Sequence, residues 1–272
     1  MTTGGFSTHT ADLATPTIDV LELLGLERLD DNVFRSTALF PDRWALYGGQ
    51  VCAQALLAAS YTTPQESAAN SLSGYFLRPG NAAKPVIFQV ERDHDGRTYA
   101  ARRVVAIQGG EVVLNLASSF QRPRQGDDLT FARMPSVAPP AQLPPGEPPV
   151  RLASFERRVP AQPTEPCPYP RYLWLRCTAD VGDEQRMHQA LLAYVSDYSS
   201  GFGCEPVRER QATISHALWF HRPVRVDQWL LLALEPQSAF AGRAVYTGTV
   251  WTESGTCVAT LTQETLYLRR NP

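Results

Sequence analysis

Three short strings recur in this chain in the same order, roughly 140 residues apart. Gln54-Ala-Leu-Leu-Ala58 returns 135 residues later as Gln189-Ala-Leu-Leu-Ala193. Phe76-Leu-Arg-Pro79 returns after 144 as Phe220-His-Arg-Pro223, and Ala117-Ser-Ser-Phe-Gln121 matches Ala259-Thr-Leu-Thr-Gln263 at 142. Each match alone is weak, but a shared order and a shared offset point to a duplicated domain. A solenoid, whose unit is only about 20–50 residues, is excluded.

The hydrophobic pattern gives each copy the same plan. After a short amphipathic helix from Val20 to about Arg28 and an extended stretch Val33–Ser36, Tyr47-Gly-Gly-Gln50 introduces a helix from Val51 to about Tyr61. That helix is apolar nearly all round, which predicts burial. Strands follow at Ser71–Leu77, Pro85–Asp93, Tyr99–Gln108 and Glu111–Phe120, with Gly109-Gly110 as a hairpin signal. The second copy has a strand at Tyr172–Cys177, then Asp183 as an N-cap for a helix from Glu184 to Tyr198. Its further strands are Ala212–His221, Trp229–Glu235, Gly242–Thr252 and Cys257–Leu268.

One sheet and one apolar helix per copy can bury their apolar faces only against each other. The predicted class is therefore α+β, a double hotdog: two antiparallel sheets, each wrapped around a long helix. Residues 1–17 read as a disordered extension, 18–130 as the N-terminal hotdog and 171–272 as the C-terminal one. Between them, 131–170 is a linker. Pro135 to Pro149 holds seven prolines in fifteen residues, stiff and with little that could form a core.

Composition removes several function classes. The 25 Lys and Arg nearly balance the 27 Asp and Glu over 272 residues, so no global field calls for nucleic acid or an anionic membrane. No apolar run reaches the roughly 18 residues of a membrane span, and no secretory signal is visible. Five scattered cysteines without a C-x-x-C pair suggest neither zinc nor disulfides, and the expected setting is a reducing cytoplasm. G-x-S-x-G, GxGxxG and Walker A strings are lacking, and the histidines lack metal-ligand spacing, so no cofactor is expected.

Chemistry concentrates around the strand Gln211–Pro223. Thr213 stands near its start, and Asp197 lies on the helical face that also carries Met187, Ala190, Leu191 and Tyr194. Gln263 shares a strand face with Ala259 and Leu261 and so points inward. A desolvated carboxylate makes a competent general base near neutral pH, and a buried amide must find partners. From the residues alone plainer roles stay open: a helix end for Asp197, β-propensity for Thr213, a backbone partner for Gln263. His216 and His221 read as structural strand residues. Arg78 and Arg222, present in both copies, also read as structural. Arg102-Arg103 reads as a solvated pair, with phosphate binding as its alternative. Gly48-Gly49 is a backbone concavity beside a helix N-terminus, suited to an oxyanion.

With these residues placed, the chain resembles the acyl-CoA thioesterase II, or TesB-like, family. The matching segments are Leu21-Glu-Leu-Leu-Gly-Leu-Glu-Arg28, Tyr47-Gly-Gly-Gln50, Tyr75-Phe-Leu-Arg-Pro-Gly80, Ala101–Gln108, Ala117–Gln121, Met134–Pro139, Ser196-Asp197, Thr213-Ile-Ser-His216 and Trp219–Pro223. The resemblance implies hydrolysis of medium- to long-chain fatty acyl-CoA to free acid and CoA, with Asp197, Thr213 and Gln263 as the catalytic set. It also implies a homo-oligomer, dimer or tetramer. Family members commonly carry an acid where this chain has Ser215, which removes a charge beside the expected site. The first copy has Thr62 where Asp197 stands in the second, so one site per chain is expected. The other reading is a catalytically weak acyl-CoA-binding module; a hotdog hydratase lacks its acid–histidine motif here.

Overall fold

The computed structural model describes residues 19–42, 45–148, 150–163, 171–198 and 210–268. The expected extension at 1–17 lies outside these residues, as do Cys167 and Cys204. Cys52, Cys177 and Cys257 are buried free thiols.

Helix α1 is Val20–Leu23, shorter than its pattern suggested. Asp19 caps it through Leu21 N (2.9 Å), and the chain turns at Gly25 into strand β1, Leu26–Asp30, which pairs with β2, Val33–Ser36. Cross-strand pairing thus overrides the helical spacing of Leu26. The first long helix, α2, is Gly48–Ser60, and all but one of its residues are buried. It rests on β3, Ala68–Phe76; β4, Ile87–Asp95; β5, Tyr99–Gln108; and β6, Glu111–Gln121. Alternation along β5 shows why: Ala100, Arg102, Val104 and Ala106 are buried, with more exposed residues between them.

The proline-rich stretch is better anchored than its composition suggested. Met134, Val137 and Leu143 pack on a cluster of Trp174, Leu231, Ala233, Trp251 and Cys257. The Trp174 indole N–H donates to Ala138 O (3.1 Å). Within 131–170 the chain also forms a short strand, β7, Phe155–Arg158, against β8, Tyr172–Cys177. Helix α3, Gln185–Ser196, starts one residue later than expected, with Glu184 at the cap position. Asp183 instead pairs with Arg225. The remaining strands are β9, Arg210–Phe220; β10, Leu230–Phe240; β11, Arg243–Thr252; and β12, Cys257–Leu268.

One expectation is corrected. Among the described residues the strands form not two sheets but a single twelve-stranded antiparallel sheet, in the order β1-β2-β4-β5-β6-β3-β9-β12-β11-β10-β8-β7. The joint is β3 with β9, where Ser71–Tyr75 pair with Trp219–Ser215. Each half would otherwise leave an unpaired strand edge, and each satisfies that of the other. Helices α2 and α3 pack on one another, and one hydrophobic core runs through both halves.

The ladders also fix the register of the duplication. Phe76 pairs with Leu114 as Phe220 pairs with Ala259. Both ladders skip one residue at the same place, Asn70 in the first half and Ile214 in the second. The counterpart of Gln263 is therefore Ser118, and not Gln121 as the string match implied. The counterpart of Thr213 is Ala69.

Candidate active site

Four elements converge at one point. Asp197 follows α3 directly as its C-cap residue. The Thr213 hydroxyl on β9 donates to Asp197 Oδ1 at 2.8 Å. From the neighbouring β12, Gln263 Nε2 donates to Thr213 Oγ1 at 2.9 Å. The bulge at Ile214 brings this about: it lets Thr213 and His216 both face the helices although three positions separate them. The fourth element is the N-terminus of α2. A Cβ on Gly48 would lie 2.5 Å from Asp197 Oδ2, and one on Gly49 would collide with Tyr194 O. Only glycine lets the start of α2 approach the end of α3 this closely. The Gly49 backbone amide contacts the carboxylate.

All three expected side chains are thus in mutual contact. Gln263 is 1% exposed, while Thr213 and Asp197 are half-buried. Burial pushes the Asp197 carboxyl above the ordinary aspartate value. A nearby His216, the Thr213 and Gln263 hydrogen bonds and Gly49 pull the other way without cancelling it. The same negative charge, added to burial, raises Cys52 and Tyr246 and, with further contributions, Tyr47. Tyr47 closes the site from the α2 side, donating to Tyr194 O at 2.6 Å.

Sequence reasoning missed His216 as a member of this group. It is fully buried, with Nδ1 2.7 Å from Gln263 Oε1 and Nε2 2.8 Å from Ser196 Oγ. Burial holds its pKa down despite Asp197. The signal was available in the alternation of His216, Leu218 and Phe220 on one strand face. His221, by contrast, is exposed and contacts Thr260 Oγ1 at 3.1 Å.

Other residues fall elsewhere. Ser215 pairs with Glu264 on the opposite face of the sheet from His216 and Gln263. An acid there would face Glu264 and not the site, so the expected loss of a charge beside Asp197 does not arise. Arg78 and Arg222 do equivalent structural work, donating to Val112 O (2.9 Å) and Cys257 O (2.5 Å). Arg103 is solvated and paired with Glu91 and Asp93, but Arg102 is not its equal. It is 1% exposed and donates to Thr62 Oγ1 (2.7 Å), Thr62 O (2.9 Å), His94 O (2.8 Å) and Asp95. Arg102 pairs with Ser118 as Tyr246 pairs with Gln263. In the first half, then, the counterpart of the site is filled by a guanidinium.

The chain matches two family models in tandem: an acyl-CoA thioesterase N-terminal domain over residues 40–121 and an acyl-CoA thioesterase C-terminal domain over 120–267. It is 32% identical to Acyl-CoA thioesterase 2 of Haemophilus influenzae, over 91% of this chain and 96% of the relative. The crystal structure of acyl-CoA thioesterase II TesB2 from Mycobacterium marinum superposes with a TM-score of 0.79 at 32% identity. That alignment covers 93% of this chain and 98% of the other. A conserved protein with a hot dog fold from Alicyclobacillus acidocaldarius, 21% identical, has a TM-score of 0.77 over 92% and 98% of the two chains, a likeness of fold. Matched over residues 40–267 by the two models together, and over 91% and 93% of its length by the two relatives of higher identity, the chain belongs to the acyl-CoA thioesterase II, or TesB-like, family of thioester hydrolases.

Proposed function

We propose that the protein hydrolyses medium- to long-chain fatty acyl-CoA to the free acid and CoA, with Asp197 as general base. The observation that carries this reading is the contact chain Gln263–Thr213–Asp197, at 2.9 and 2.8 Å, ending on a carboxylate whose pKa is raised by burial. Asp197 takes a proton from a water that Thr213 and Gln263 orient, and the hydroxide formed attacks the thioester carbonyl. The tetrahedral intermediate then expels the CoA thiolate, which recovers a proton. With the Gly49 N–H held by Asp197, the Gly48 N–H is the donor left at the start of α2 for the oxyanion, and the positive dipole end of the helix favours the developing negative charge. In this reading the chain is a double hotdog with units at 18–130 and 171–272, one active site and a homo-oligomeric, cytoplasmic form. Among the described residues no helix is long and apolar enough to cross a membrane.

The test is thiol release from acyl-CoAs of increasing chain length, by the wild type and by Asp197→Asn. A rate that peaks between medium and long chains and falls at least about 100-fold in the variant supports the assignment. Near wild-type turnover in Asp197→Asn removes Asp197 as base. Binding without turnover in the wild type would make the protein an acyl-CoA-binding module instead.

A further inference from the structure

Building on that thioesterase reading, we propose that His216 is a positioning residue: its Nδ1–H fixes the amide of Gln263 so that every donor in the site points toward Asp197. The contacts form one unbroken chain, Ser196–His216–Gln263–Thr213–Asp197, with links of 2.8, 2.7, 2.9 and 2.8 Å. Its polarity follows from counting hydrogens. Thr213 has one, and spends it on the carboxylate. Thr213 Oγ1 must therefore accept from Gln263 Nε2, which turns Gln263 Oε1 toward the imidazole. Only an Nδ1–H satisfies that oxygen. In the neutral ring Nε2 is then bare, and the single Ser196 hydrogen fills it. Ala193 O, 3.0 Å from Ser196 Oγ, competes for that one hydrogen, so the proposed tautomer has the hydroxyl turned from its helical acceptor to the ring.

The opposite orientation of Gln263 is the alternative that His216 excludes. With the amide turned over, Oε1 would claim the Thr213 hydrogen, and a bare threonine oxygen would face the carboxylate. Asp197 would lose a donor, and the water its second anchor. Asp197 favours the observed orientation from the front, since Gln263 also donates to it. A His216 Nδ1–H holds the same orientation from behind, in a ring that burial keeps neutral.

Two measurements test this. Asparagine carries its side-chain nitrogen where imidazole carries Nδ1, whereas glutamine reaches only the Nε2 position. In His216→Asn, kcat is expected within about fivefold of wild type. In His216→Gln it should fall roughly 10–100-fold with KM little changed, the scale for removing the partner behind a site residue. Equal kcat in the two variants overturns the proposal. The second measurement needs no variant: nitrogen-15 NMR of histidine-labelled wild-type protein. The His216 ring should show a protonated Nδ1 and a bare Nε2, and the reverse tautomer overturns the proposal even if both variants fail to fold. Decanoyl-CoA turnover by the wild type separates failure of this inference from failure of the thioesterase reading, because the tautomer is measured without substrate.

Discussion

At the scale of single residues, the site sets stability against function. An aspartate whose folded pKa is raised is neutral in both states at low pH. As pH rises past its unfolded value the folded state binds more protons, so stability falls, and the loss is complete above the folded value. Asp197 is such a group. Relative to wild type, Asp197→Asn should therefore have a higher Tm at neutral pH, with the gap closing as the solution is acidified toward the ordinary aspartate range. Thermal melts across a pH series would read this. The kcat of the wild type should fall on acidification at a pH above that of a solvent-exposed aspartate, since only the ionised form accepts a proton. Gly48 gives a steric prediction. The Cβ of Gly48→Ala would press on Asp197 Oδ2 and on the Phe76 ring, 3.0 Å away. Displacing the carboxylate should cost roughly 10–100-fold in kcat, with about 1–3 kcal/mol of stability lost in urea unfolding. Asp197, Thr213 and Gln263 were legible in the sequence because each breaks a local pattern or matches a family motif. His216 and Arg102 were not, because a histidine in a strand and an arginine pair look ordinary until their partners are known.

At the scale of elements, the strands were easier to locate than to pair. Strands β5, β8 and β12 have the ends that alternation predicts, whereas the union of β3 with β9 depends on partners about 140 residues apart that leave no local trace. The bulges at Asn70 and Ile214 are equally silent in the sequence, and they decide which side chains enter the site. Gln189 ties these elements together. From α3 its amide donates to Ala69 O (2.8 Å) and accepts from Ala69 N (2.9 Å), beside the first bulge. Replacing it with leucine would leave two buried backbone groups without partners, a loss of about 2–4 kcal/mol. Urea unfolding of Gln189→Leu should show that loss as a lower midpoint with an unchanged slope.

At the scale of the whole molecule, the continuous sheet makes the two halves dependent on each other. Residues 18–130 expressed alone would expose the β3 edge, which β9 covers in the intact chain. That fragment is expected to self-associate through β3, and light scattering that found a stable monomer would contradict the role given to this joint. Two identical subunits, each a single unit of this fold, must change together, since one gene writes both. A tandem polypeptide frees the copies from each other. The Arg102 plug, with its partners Thr62 and Asp95, is what that freedom permits: one half holds a framework of hydrogen bonds at the position where the other holds Asp197, Thr213 and Gln263. Two copies in one chain can thus carry different side chains at equivalent positions, which a pair of identical subunits cannot.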